Sequence, residues 1–158
     1  MPIIKAAVCH EFGAPLSIDD VQLRAPEMGE IEVTLDACAI CHSDISYAGG
    51  AWGGSLPAVY GHEAAGIVTN VGGGVRGLNE GDSVVVTLIR ACGNCVSCAG
   101  GAPTLCETPY DGDHGPLKTA DGGKLHQAMA CGAFAEKVVV DQRQVVKIAH
   151  DIPKDAAA

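Results

Sequence analysis

Apolar, largely β-branched runs bounded by turn residues occur at 3–8, 31–38, 64–71, 82–88, 134–140 and 145–148. Each predicts a strand, because branched side chains fit a pleated surface and Gly, Pro, Asn and Asp punctuate it. Helical periodicity is nearly absent. Residues 43–48 predict one short helix after Cys41, and residues 153–158 predict the first turn of another. The pattern as a whole predicts a mainly β, barrel-like domain with a few short helices. From Cys92 to Gly132 the chain is rich in Gly, Cys, Pro and Asp and is too long for a simple connection. Something other than regular structure has to order that stretch.

At 158 residues the chain has the length of one domain, 1–158, able to bury a core without disulfides. A formal charge of −9 repels nucleic acid and anionic membranes alike, so neither is an expected partner. No apolar run approaches the roughly 20 residues of a membrane span, and the first residues, MPIIKAAVCHEFG, lack a secretory cleavage site. A cytoplasmic protein is expected. In that setting eight cysteines point to metal ligands or catalysis before disulfides.

Four of them, Cys92, Cys95, Cys98 and Cys106, are separated by two, two and seven residues. Four thiolates on one compact loop can close a tetrahedral shell around a structural Zn2+, which leaves no position for substrate and supplies folding free energy where no core can form. Disulfides and an iron–sulfur cluster are the competing readings. A ferredoxin-type run continues with three residues and Cys-Pro, whereas here the gap is seven and Glu107 follows Cys106.

A second constellation combines Cys41-His42-Ser43-Asp44 with Gly61-His62-Glu63. Singly, such a cysteine is most often a small buried hydrophobe and such a histidine a satisfied surface or core residue. Together, at loop–strand junctions, they can supply two of the three protein ligands of a catalytic zinc.

Here a resemblance becomes specific. Gly61-His62-Glu63-Ala64-Ala65-Gly66, with Gly72 and Val75 at their spacing, resembles the signature GHE-x2-G-x5-[GA]-x2-[IVSAC] of the medium-chain zinc-dependent alcohol dehydrogenases. The cysteine loop at 39–44, the four-cysteine lobe at 92–106 and the segments at 132–136 and 145–148 are similar to that family too. The resemblance implies a GroES-like, partly open β-barrel with a zinc-binding lobe, and a parent enzyme that moves hydride between a primary alcohol or aldehyde and NAD(P). It assigns Cys41 and His62 to the catalytic zinc, Glu63 to a place behind the metal, Asp44 to orienting His62, Ser43 to accepting the alcohol proton and His42 to the cofactor pyrophosphate. Trp52, Leu88, Ala128 and Met129 match pocket-lining positions. Leu88 and Ala128 stand where many members have phenylalanine, which implies a roomy pocket suited to aromatic or bulky alcohols. Where many members carry the histidine that finishes the proton relay, this chain has Ser46.

The same resemblance implies a homo-oligomeric parent enzyme. It also places a third zinc cysteine and the nucleotide-binding domain beyond Ala158, so that these residues alone are expected to be inactive; Cys9, Cys38 and Cys131 read as buried apolar residues instead. Gly72-Gly73-Gly74-Val75-Arg76-Gly77 satisfies G-x-G-x-x-G, but the segment leads into another strand rather than a helix, and it reads as a turn. Function classes that stay open are a non-enzymatic zinc module of GroES-like fold and an iron–sulfur electron carrier.

Overall fold

The computed structural model describes residues 1–158, the side chain of Asp113 excepted. In chain order its elements are β1 (Ile3–Cys9), β2 (Ser17–Leu23), β3 (Glu30–Cys38), α1 (His42–Ala48), β4 (Ala58–Val59), β5 (Glu63–Val71), β6 (Ser83–Thr87), α2 (Val96–Ala99), β7 (Leu117–Thr119), β8 (His126–Gln127), β9 (Lys137–Asp141), β10 (Val145–Lys147) and α3 (Lys154–Ala157). Two five-stranded sheets result, in the orders β7-β2-β1-β4-β8 and β10-β6-β5-β3-β9. The expected mainly β, barrel-like architecture with few short helices is the one observed.

Alternation explains the strands. In β1, Ile4, Ala6 and Val8 turn inward against Val21 and Leu23 of β2, and together with Leu125 they fill the first sheet's core. Ile31 and Val33 of β3, Val68 of β5, Val84 and Val86 of β6, and Val138 and Val140 of β9 fill the second. Each such buried valine or isoleucine contributes about 1.5–3 kcal/mol. No helix among the described residues is long and apolar enough to cross a membrane.

Besides adding the strands β2 and β4, which the pattern does not predict, the structure departs from the expectation in two places. Residues 134–136 do not extend β9. They splice the sheets, because the Ala7 amide donates to the Phe134 carbonyl at 2.7 Å, the Glu136 amide donates to the Lys5 carbonyl at 3.0 Å, and Ala6 and Ala135 form a bridge. The same segment holds the loop before β5: the Ala133 amide donates to the Gly61 carbonyl at 2.9 Å and the Phe134 amide to the Tyr60 carbonyl at 2.8 Å. Second, the stretch from Cys92 to Gly132 is less irregular than expected. It contributes β7 and β8, which take the two edges of the first sheet.

Residues 72–77 open the connection between antiparallel β5 and β6 and include its first turn. At Gly72 a Cβ would lie 1.7 Å from the Glu27 carbonyl oxygen, and at Gly66 in β5 it would lie 2.0 Å from the Thr34 carbonyl oxygen. Both glycines therefore serve close backbone packing. Replacing Gly66 with Ala has to part β3 from β5, and the expected cost is about 3 kcal/mol or more. Urea denaturation read by circular dichroism measures it; an unchanged midpoint would contradict the packing argument.

Candidate metal centres and substrate cavity

Cys41 is the residue at which the chain turns from extended into helical backbone, as the N-cap of α1. Asp44, three residues on, reaches back so that its Oδ2 accepts the Cys41 amide at 3.0 Å. Its Oδ1 accepts the Gly61 amide at 2.9 Å and meets His62 Nδ1 at 3.2 Å. Asp44 and His62 are 3% and 5% exposed, so this carboxylate is satisfied inside the protein rather than by solvent. With Nδ1 donating to Asp44, the tautomer that remains presents Nε2 as a free ligand nitrogen.

The outcome is a convergence of unlike elements. One ligand atom each from Cys41, His62 and Glu63 lies within 4.8 Å of the others, although α1 and β5 are separate in the chain. Ser43 Oγ is 3.5 Å from Cys41 Sγ. His42, on the first turn of α1, is exposed, and Ser46 lies further along the same helix, half-buried. A thiolate, an imidazole and a carboxylate make a donor set that zinc accepts in tetrahedral geometry.

The four-cysteine lobe is a separate cluster. The ligand sulfurs of Cys92, Cys95, Cys98 and Cys106 all lie within 4.8 Å of one another. Main-chain amides point at three of them: Cys92 donates to Cys106 Sγ at 3.3 Å, Cys95 to Cys92 Sγ at 3.2 Å and Cys98 to Cys95 Sγ at 3.5 Å. Hydrogen bonds from Thr108 and from the amides of Asn94 and Cys95 pull the Cys92 thiol down to about 5. Cys106 is lowered too, by the amides of Thr108 and Cys92. At Cys98 the Gly93 amide pulls down, yet burial and the neighbouring thiols push it up to about 11. Four converging sulfurs with amide donors suit a metal that binds thiolates. None of the four is in a disulfide. Arg143 anchors the base of the lobe by donating from Nη1 to the Ala91 carbonyl.

The other cysteines differ. Burial pushes the Cys131 thiol to about 12 and the Cys38 thiol to about 11, and both pack into the core beside Val138. Cys9 is fully buried with Ala58 and Tyr60.

Of the expected pocket residues, Leu88 and Met129 line one cavity of about 390 Å3. A second cavity of about 390 Å3 reaches His62 and Glu63 and shares Leu88 and Ile89 with the first. Ala128 packs against Cys9, Ala58 and Tyr60. Trp52 stands apart, 58% exposed, with its ring edge-on to Tyr47 at 5.0 Å.

Hydropathy gave no signal for the residues that shape this wall. Met129 and Ala130 adopt left-handed backbone with φ of 54° and 52°, a conformation costing each about 1–3 kcal/mol. Two buried glutamines hold it: Gln127 Nε2 donates to the Cys131 carbonyl at 2.8 Å, and Gln144 Nε2 donates to the Ala130 carbonyl at 3.0 Å.

The sequence profile of the alcohol dehydrogenase GroES-like domain matches residues 27–150, and the chain belongs to that family. Among particular relatives, the NDMA-dependent alcohol dehydrogenase of Amycolatopsis methanolica is 36% identical over 97% of this chain and 43% of its own length. An alcohol dehydrogenase zinc-binding domain protein from Burkholderia ambifaria superimposes with a TM-score of 0.90 at 36% identity, covering 97% of this chain and 44% of the other. Benzyl alcohol dehydrogenase from Acinetobacter calcoaceticus gives 0.84 at 29% identity, over 98% and 43%. The chain thus spans less than half the length of the relatives it matches.

Replacing Cys95 with Ser removes one thiolate ligand from the lobe, while the serine hydroxyl can still accept the Cys98 amide as the N-cap of α2. The expected result is loss of metal from that cluster and about tenfold or greater acceleration of proteolysis within 92–106, while the two-sheet core keeps its circular dichroism. Equal protease resistance in variant and wild type would refute a metal-ordered lobe.

Proposed function

We propose that these residues form the catalytic domain of a zinc-dependent alcohol dehydrogenase, with Cys41 and His62 holding a catalytic zinc and the four-cysteine lobe holding a structural one. The observation that carries the reading is the convergence of Cys41, His62 and Glu63, with Asp44 fixing His62 through Nδ1. When bound, zinc supplies Lewis acidity toward an alcohol oxygen, and a nicotinamide supplies the hydride acceptor.

The chain's own residues do the rest. Asp44 fixes the imidazole and the start of α1 in one move, so ligand geometry is set before any ligand arrives. Ser43 Oγ, beside Cys41 Sγ, is placed to take the alcohol proton, and Ser46 on the same helix offers a hydroxyl for passing it on without titrating near neutral pH. Glu63 is exposed and lies with the ligand atoms, in reach of the same ion. Leu88 and Met129 form an apolar wall for the substrate body. Residues 72–77 lie in the connection between antiparallel β5 and β6, and NAD(P) use and His42's contact with it rest on the family resemblance. The same resemblance supports a homo-oligomeric parent enzyme.

The deciding experiment is metal analysis of residues 1–158. Affinity follows ligand number and preformed geometry, so the four-sulfur cluster should exceed the mixed site. After dialysis about one zinc per chain is expected. A second should bind on titration and be lost in the Cys41→Ser variant. Visible absorption from iron, or a second zinc unaffected by that variant, would reject the assignment.

Pocket size generates a separate expectation. With Leu88 in place of an aromatic ring on the cavity wall, benzyl-type alcohols should be favoured over ethanol by about 1–3 kcal/mol per well-filled group. Steady-state kcat/KM of the parent enzyme for the two alcohols checks it, and a preference for ethanol would overturn it.

A further inference from the structure

Arg90 lies next to the apolar wall and, among the described residues, is the only charged one lining the Leu88–Met129 cavity; it also lines an adjoining cavity with Glu27 and Glu30. Its Nη1 is buried and has no hydrogen-bond partner. A guanidinium cannot shed its charge, so a buried donor of this kind carries a standing desolvation cost that a ligand acceptor can repay.

Neighbouring groups do not fill that role. Glu30 lines an adjoining cavity together with Arg90, but Arg24 grips it with both terminal nitrogens and the Glu27 amide donates to its Oε2 at 2.8 Å. Tyr110 offers Arg90 only its ring face, 5.9 Å from the guanidinium carbon to the ring centre. Burial pushes the Tyr110 hydroxyl to about 12, so it stays neutral, and it donates to Gln127 Oε1 at 2.6 Å. Arg90 does act on Glu30 through its charge, helping to hold that carboxyl low, yet no acceptor occupies its Nη1.

The position of the cavity gives the cation a use. Leu88 and Ile89 line both this cavity and the one that reaches His62 and Glu63. A ligand with its reacting end at His62 can therefore lay an apolar body along Leu88 and Ile89 and bring its far end to Arg90.

We propose that Arg90 is an anion-binding subsite at the distal end of the substrate cavity, and that the substrate is an alcohol or aldehyde carrying a carboxylate across an apolar spacer. The inference rests on the alcohol dehydrogenase reading for the reacting end, but the Arg90 contact itself does not depend on hydride transfer. Arginine meets a carboxylate through paired, charge-assisted hydrogen bonds, which give direction as well as affinity.

The test compares 4-(hydroxymethyl)benzoate with its neutral isostere 4-methylbenzyl alcohol, by calorimetric titration into the zinc-loaded protein. Wild type should bind the carboxylate about ten- to a hundredfold more tightly. Arg90→Met should abolish the ratio, and Arg90→Lys should keep part of it. Cys41→Ser should weaken both ligands alike and leave the ratio unchanged, so a failed metal assignment shows in absolute affinity and a failed subsite shows in the ratio. Equal binding of the two ligands by wild type, which needs no variant to read, overturns the proposal, as does a ratio that survives in folded Arg90→Met.

Discussion

A single buried carboxylate ties this structure together. Asp44 receives the Cys41 amide on one oxygen and the Gly61 amide and His62 imidazole on the other, so it fastens the start of α1 to the loop that enters β5. Burying an anion is costly unless its oxygens are satisfied, and here the donors that satisfy it belong to the two segments whose approach creates the metal-ligand cluster. Folding energetics and site geometry are thus the same interaction. Removing the carboxylate would leave two main-chain donors and an imidazole without their acceptor at the junction.

The splice at 132–136 works at the next level. It bonds to β1 on one side and to residues 60–61 on the other, which closes the two sheets around the base of the same loop. Gly61 is held there with φ of 90°, and a Cβ would meet Phe134 at 2.6 Å. The Gly-His-Glu run therefore mixes two demands. Its glycine is set by backbone crowding, while its histidine and glutamate join Cys41 in the candidate ligand cluster. Gly66 and Gly72 belong wholly to the first demand, since each faces a carbonyl oxygen that a side chain would strike.

That mixture explains what could be read from the sequence. The long strands β1, β3, β5 and β6 follow from alternating or continuous apolar runs. The pairing of Cys41 with His62 followed from a motif whose residues are forced by geometry. β2 was not legible, because Asp19 and Asp20 interrupt it and Ile18 faces outward, 70% exposed. β4 and β8 were not legible either, since two-residue strands carry no period and exist only through their partners. Arg90, Gln127 and Gln144 escaped for another reason. A polar side chain announces neither its burial nor its partner until the tertiary structure supplies both.

The cavity wall is held by amides. Gln127 and Gln144 clamp the left-handed turn at Met129 and Ala130 with groups that carry no ionisable proton. Carboxylates and imidazoles elsewhere in the molecule change charge as the medium is acidified, but these clamps do not. The contour of that wall is thereby insulated from acidity, and protonation elsewhere in the chain leaves the clamped turn in place.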